Sequence, residues 1–235
     1  MNSELVVLCS TAASISFLHT LTGPDHYLPF IALAKTNNWS KNKTFWVTLV
    51  CGLAHVLSSI ILGFVGLTAG IALFKLEKLE SIRGDIAAWF LLIFGFVYFV
   101  WSVFNIVRKK PHMHLHKHAN GTIHQHKHVH QEEHMHLHKN TRNKSIIWSL
   151  FIIFIFGPCE PLIPLIMFPA AKGNIMWVVL VASIFGIVTI GLMLSVVMAS
   201  ISGLSIFKSK SIAKYSHVIA GFILFSCGGT IFLGL

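Results

Sequence analysis

The chain is 235 residues long, 54% hydrophobic and only 11% charged, with a mean hydropathy of +0.73 and a formal net charge of +10. A soluble domain carries about 25% charged residues, so an ordinary soluble globular domain is excluded and a polytopic membrane protein is expected. In lipid each helix must satisfy its own backbone hydrogen bonds, which makes the fold class all-α. The basic residues lie in loops between apolar runs, so the positive charge reads as topology and not as nucleic-acid binding.

Apolar runs predict six spans in chain order, over 5–34, 44–74, 86–107, 146–171, 175–201 and 212–235. The first run has no positive segment before it and is expected to be retained as a span. The loops after spans 2 and 4 carry four of the eighteen Lys and Arg, namely Lys75, Lys78, Arg83 and Lys172; the other fourteen lie in the loops after spans 1, 3 and 5. The basic side is expected to be cytoplasmic, with both termini outward and the chain in a bacterial cytoplasmic membrane. Three units follow: residues 1–107, a loop over 108–144, and residues 145–235.

Span 1 is interrupted at Gly23-Pro24, and span 4 at Gly157-Pro158, Pro161 and Pro164. Proline lacks the N–H and clashes with the carbonyl four residues back, so each helix must bend or unwind there. Gly23-Pro24-Asp25-His26-Tyr27-Leu28-Pro29 parallels Gly157-Pro158-Cys159-Glu160-Pro161-Leu162-Ile163-Pro164, and Ile86–Leu92 echoes Val218–Leu224. Two three-span halves run in opposite senses, so a 3+3 inverted repeat with broken helices 1 and 4 is expected.

Ionisable groups at membrane depth are costly and mark function. His19, Asp25 and His26 fall within eight residues around the first break, and unwinding there is expected to gather them. Asp25 is also placed to cap the second half-helix. His55 stands in span 2 among Gly52, Ala54, Ser58 and Ser59, small residues that permit close helix approach. Imidazole with carboxylate suits a divalent first-row transition metal. Glu160 in the second break is a further ligand or a proton acceptor, and Cys159 a further ligand or an inert buried thiol.

The loop after span 3 holds eleven histidines, mostly alternating: His112, His114, His116, His118, His124, His126, His128, His130, His134, His136 and His138. Such a tract is a compositional metal-binding signal and reads as a cytoplasmic buffer or sensor. An ordered form would turn at Asn120-Gly121-Thr122 and pair His118 with His124. The four cysteines make no C-x-x-C pair, so no disulfide framework is expected.

His19-x5-Asp25-His26, the Gly-x-x-His-x-x-Ser-Ser pattern ending at Ser59, the six-span layout and the His-rich loop together resemble the nickel–cobalt exporter family and the wider nickel/cobalt permeases of the LysE-like superfamily. The permeases carry four residues between the first His and the Asp-His; here there are five, including Pro24. The Gly-Pro-Asp-His-Tyr-Leu-Pro form is also similar to urease-accessory-type transmembrane proteins grouped with sulfite exporters and with thiol-redox membrane domains. The first resemblance implies metal recognition by His19, Asp25, His26 and His55. The expectation is a non-enzymatic transporter, an exporter of nickel or cobalt with zinc or iron(II) as further candidates. The metal is then substrate rather than cofactor, the partners are the ion and membrane lipid, and homo-oligomerisation is left open.

Two other functions rank below this. A thiol–disulfide electron carrier needs a thiol in each broken helix. The first break offers Asp25-His26 instead, and Cys9 is too far away at about 1.5 Å per helical residue. A sulfite or other anion exporter is opposed by the charges of Asp25 and Glu160.

Overall fold

A computed structural model describes residues 3–108, 112–117, 123–128, 138–203 and 210–232. Helix α1 spans Ser3–Thr22 and ends at Gly23; a 3-10 turn, Pro24–His26, leads into the short α2, Leu28–Thr36. Helix α3 is Lys41–Thr68 and α4 is Leu73–Arg108. Strands β1, His112–Lys117, and β2, Ile123–His128, form a ribbon before α5, His138–Phe156. A break over 157–161 separates α5 from α6, Leu162–Ala171, and α7, Ile175–Gly203, and α8, Lys210–Phe232, follow. Five helices are long and apolar enough to cross a membrane, while Lys144–Phe156 and Leu162–Ala171 are shorter apolar helices on either side of the second break.

Local chemistry explains the boundaries. Ser40 caps α3 by accepting the Lys43 backbone N–H at 3.2 Å. Pro24 opens the 3-10 turn, as its missing N–H requires. Asp25 does not cap α2, contrary to the sequence expectation: the cap is Tyr27, without a side-chain hydrogen bond, and Asp25 turns to His26. Pro161 sits at the α6 N-cap, and Pro164 lies inside its first turn, where no N–H partner is needed. Pro164 therefore does not interrupt the helix. Helix α4 starts thirteen residues earlier than the run of apolar residues at 86, because Leu76, Glu80, Gly84, Ala87, Ala88 and Leu91 bury one helical stripe through its polar first turns.

Polarity runs inward. On α3, Trp46, Val50, Leu53, Leu57, Ile61 and Val65 face outward, while Thr44, Thr48, His55 and Ser59 are buried. In lipid the apolar stripe has solvent enough, and the packed face takes small and polar side chains. Glycines bring helices together: a Cβ on Gly95 would run into the Phe225 backbone N, and one on Gly228 would meet the Leu92 N at 2.7 Å, so α4 and α8 touch backbone to backbone. Two apolar clusters result, one around Phe30, Leu33, Leu150, Phe154 and Leu224, the other around Ala12, Leu162, Val181 and Phe185.

The ribbon pairs His112 with His128, His114 with His126 and His116 with His124. The expected partner of His124 was His118, so the register is displaced by two residues. That even shift keeps the alternation of histidines across the pair. His118, His130, His134 and His136 lie outside the described residues.

Candidate functional site

Three imidazoles meet between the two apolar clusters, those of His26 and His55 buried and that of His19 half-buried. His19 lies in the last turn of α1, the chain turns at Gly23 and brings His26 back toward it, and His55 arrives from the middle of α3. His19 and His26 have ring centroids 4.8 Å apart and edge to face, and His26 and His55 5.1 Å apart in the same manner. Phe185 lies 6.5 Å from His19 and Phe154 6.0 Å from His55, closing the cluster on both apolar sides. His26 and His55 are each 3% exposed.

Glycine makes the turn fit. A Cβ on Gly23 would stand 2.7 Å from His26 Nδ1 and 2.9 Å from Asp25 Oδ1. With Nδ1 protonated, His26 donates to the Gly23 carbonyl at 3.2 Å and faces Asp25 Oδ1 at 3.3 Å. Nε2 is then the free lone pair, the tautomer a carboxylate behind a histidine normally selects for metal binding. The Nε2 atoms of His19 and His26 and both nitrogens of His55 have no hydrogen-bond partner among the described residues. Buried polar atoms are ordinarily paired, so unpartnered nitrogens on three imidazoles brought together call for a ligand.

One ligand atom from each of His19, His26 and His55 falls within 4.8 Å of the others. Nitrogens around a tetrahedral ion at about 2.0–2.1 Å stand roughly 3.3 Å apart, so ring rotation, chiefly of the unpartnered His55, closes the set. A cavity of about 20 Å³ beside Asp25, His26, His55 and Gly157 holds one water-sized body.

The other sequence candidates are placed differently. Cys159 is fully buried in the second apolar cluster, and Glu160 is exposed, lining a surface cleft with Glu77, Lys78 and Ser81. Neither joins the imidazole group. Gly157 does: its Cβ would meet His55 Nδ1 at 2.8 Å. All four cysteines are free.

Sequence reasoning missed two residues beside the site. Arg83, read there as a loop cation, lies in α4 and joins three elements. It donates to Glu80 Oε1 at 2.6 Å, to Ser58 and Ser59 Oγ at 2.7 and 3.3 Å, and to the Ile155 and Gly157 carbonyls at 2.9 and 3.4 Å. Those carbonyls are left over where α5 stops, the usual need at a helix end. The signal was the Glu80–Arg83 spacing of three, which pairs side chains only if the segment is helical.

No match was found among curated proteins or among solved structures. Residues 28–230 match the family model described as cytochrome C biogenesis protein transmembrane region. This match overturns the resemblance to the nickel–cobalt exporters and permeases, and the assignment as a nickel or cobalt transporter, efflux included, falls with it. The physical reason is that short motifs have more than one cause. His19-x5-Asp25-His26 ends before the matched stretch begins, and Gly52, Ser58 and Ser59 have structural duties: Gly52 packs on Ile190 and Met193, and the two serines hold Arg83. The match instead favours the electron-carrier function that ranked lower on sequence. Since the matched stretch runs from α2 to α8, the chain belongs to the family of cytochrome c biogenesis protein transmembrane regions.

Proposed function

We propose that the chain serves cytochrome c biogenesis as a membrane carrier of the thiol–disulfide class, with Cys159 as its thiol. The family match over residues 28–230 carries this reading, and the position of Cys159 in the helix break supports it. The Cys159 thiolate attacks a partner's disulfide; one S–S bond breaks, a mixed disulfide forms, and the released partner sulfur takes up a proton. Resolution then uses a dithiol of a second partner, because the four cysteines of this chain are all free and Cys159 alone among them lies in a break: its first thiol displaces the first partner as the dithiol and takes its place on Cys159, and its second thiol releases Cys159, so the first partner leaves reduced and the second leaves as the disulfide. The test is haem staining of membranes from a deletion strain. Covalent cytochrome c is expected to fall and to be restored by the parent gene but not by Cys159→Ser. Parental haem levels in the deletion strain would refute the reading.

A specific observation adds a second property. The orphan nitrogens of His19, His26 and His55 support a resident divalent first-row transition ion, with Asp25 fixing His26 from behind. Cobalt(II) added to purified full-length protein, with the loop histidines replaced by serine, is expected to bind one ion per chain and develop a visible d–d spectrum. Asp25→Asn should weaken binding roughly 10–100-fold, and His55→Ala should abolish it. An unchanged titration with His55→Ala removes the ion from this place.

For topology we infer six crossings, the fourth made jointly by α5, the break and α6, in a 3+3 inverted arrangement. Glu4 and Lys172 pair at 2.7 Å, and Lys35 donates to Ile201 O at 3.1 Å, consistent with two opposite faces for these loop ends. The face carrying most Lys and Arg is cytoplasmic, in a bacterial cytoplasmic membrane.

A further inference from the structure

We propose that the Glu80–Arg83 ion pair is a gate between the outer cleft and the helix break that holds Cys159 and backs the imidazoles. The cleft, about 410 Å³, is lined by Glu77, Lys78, Ser81 and Glu160. Two of the elements around the pair, α4 and the break, have one residue toward the cleft and another toward the site. On α4, Ser81 lines the cleft and Ala87 lines the imidazole cavity; along the break, Glu160 lines the cleft and Gly157 touches His55. On α3, Ser58 binds Arg83 one turn beyond His55. The backbone amide of Cys159 lies against the Glu80 carboxylate. The pair therefore occupies the constriction between solvent and the break.

Its chemistry fits a closure that opens. Arg83 is fully engaged, but Glu80 is held unevenly: Oε1 takes the guanidinium, while Oε2 makes no close hydrogen bond among the described residues and the carboxylate has only the Ser59 hydroxyl and the Cys159 backbone N–H set near it, although the side chain is 1% exposed. A buried pair holds firmly only when its remaining lone pairs are also met. Glu80 thus sits in a weak lock whose release exposes the Cys159 side of the break.

The inference rests on the break being the working site, yet its readout requires neither electron transfer nor a bound ion. The full-length protein in detergent, with Cys9→Ser, Cys51→Ser and Cys227→Ser, is treated with a trimethylammonium methanethiosulfonate, and labelling of Cys159 is followed by mass. Glu80→Gln should accelerate labelling at least about tenfold, because neutralising one partner leaves the Arg83 charge uncompensated in the break, while Glu80→Asp stays near the parent. A second background that keeps only Cys51, a buried α3 thiol away from the pair, controls for loosening. Its rate should not respond to Glu80→Gln. Equal acceleration of Cys51 and Cys159, or no acceleration of Cys159, overturns the gate.

Discussion

Gly157 carries no side chain because the ring of His55 stands where one would be. Its Cβ would lie 2.8 Å from His55 Nδ1 and 3.2 Å from the Phe154 carbonyl. Neither neighbour is the free end of a flexible chain, so Gly157→Ala should destabilise by about 1–3 kcal/mol through overpacking. Gly191→Ala is the control: nothing lies within 4 Å of that position, which sits inside α7. There the gain in helix propensity, about 0.5–1 kcal/mol, should raise the melting temperature in detergent. A melt in which both variants shift alike would show that His55 does not press on the break. At this scale the sequence was informative about chemical type. His19, His26 and His55 were legible as one group because charge at membrane depth is rare. Glu80 and Arg83 were not, since a residue outside the apolar run reads as a loop residue until the helix is known to extend over it.

Helices α4 and α8 test the element scale. Their contact passes through Gly95, Gly221 and Gly228, each with a Cβ position under 3.0 Å from backbone or Cβ atoms of the opposite helix. A rigid backbone cannot step aside as a side chain can. Gly95→Ala should therefore cost at least about 3 kcal/mol, the upper end for overpacking, and should lower the denaturation midpoint more than Gly157→Ala does. Near-parental unfolding of Gly95→Ala would mean the two helices are free to part. The likeness of Ile86–Leu92 to Val218–Leu224 reads as a repeat signal and does not announce that these two helices pack together. The breaks at Gly23-Pro24 and Gly157-Pro158 were legible, because a missing N–H is a property of the residue. The cap at Tyr27 and the helical Pro164 were not; both depend on which backbone groups happen to need partners.

For the whole molecule, the asymmetry of fourteen basic residues against four sets a testable orientation. Single cysteines introduced at Asn38 and Gly203 should be blocked from impermeant maleimide in intact cells, and one at Gly173 should be labelled. Labelling in the opposite sense would invert the topology, and with it the side from which the Glu80–Arg83 gate is reached.

The pattern of apolar runs by itself determined that this is a bundle of membrane helices, because a continuous run of about 20 apolar residues satisfies its backbone in lipid as a helix. It also determined where the helices break and which side chains are expensive enough to matter. It did not determine the family: the Asp25-His26 motif spoke for metal permeases, while the framework from α2 to α8 belongs with cytochrome c biogenesis proteins. Tertiary structure alone decided which of the costly residues meet. It joined His19, His26 and His55, left Cys159 in an apolar cluster and Glu160 at the surface, and lodged Arg83 against the end of α5. The physical reason is that burial and pairing are set by the approach of segments far apart in the chain. The residues flanking the first break gained their third imidazole only because α3 passes beside them.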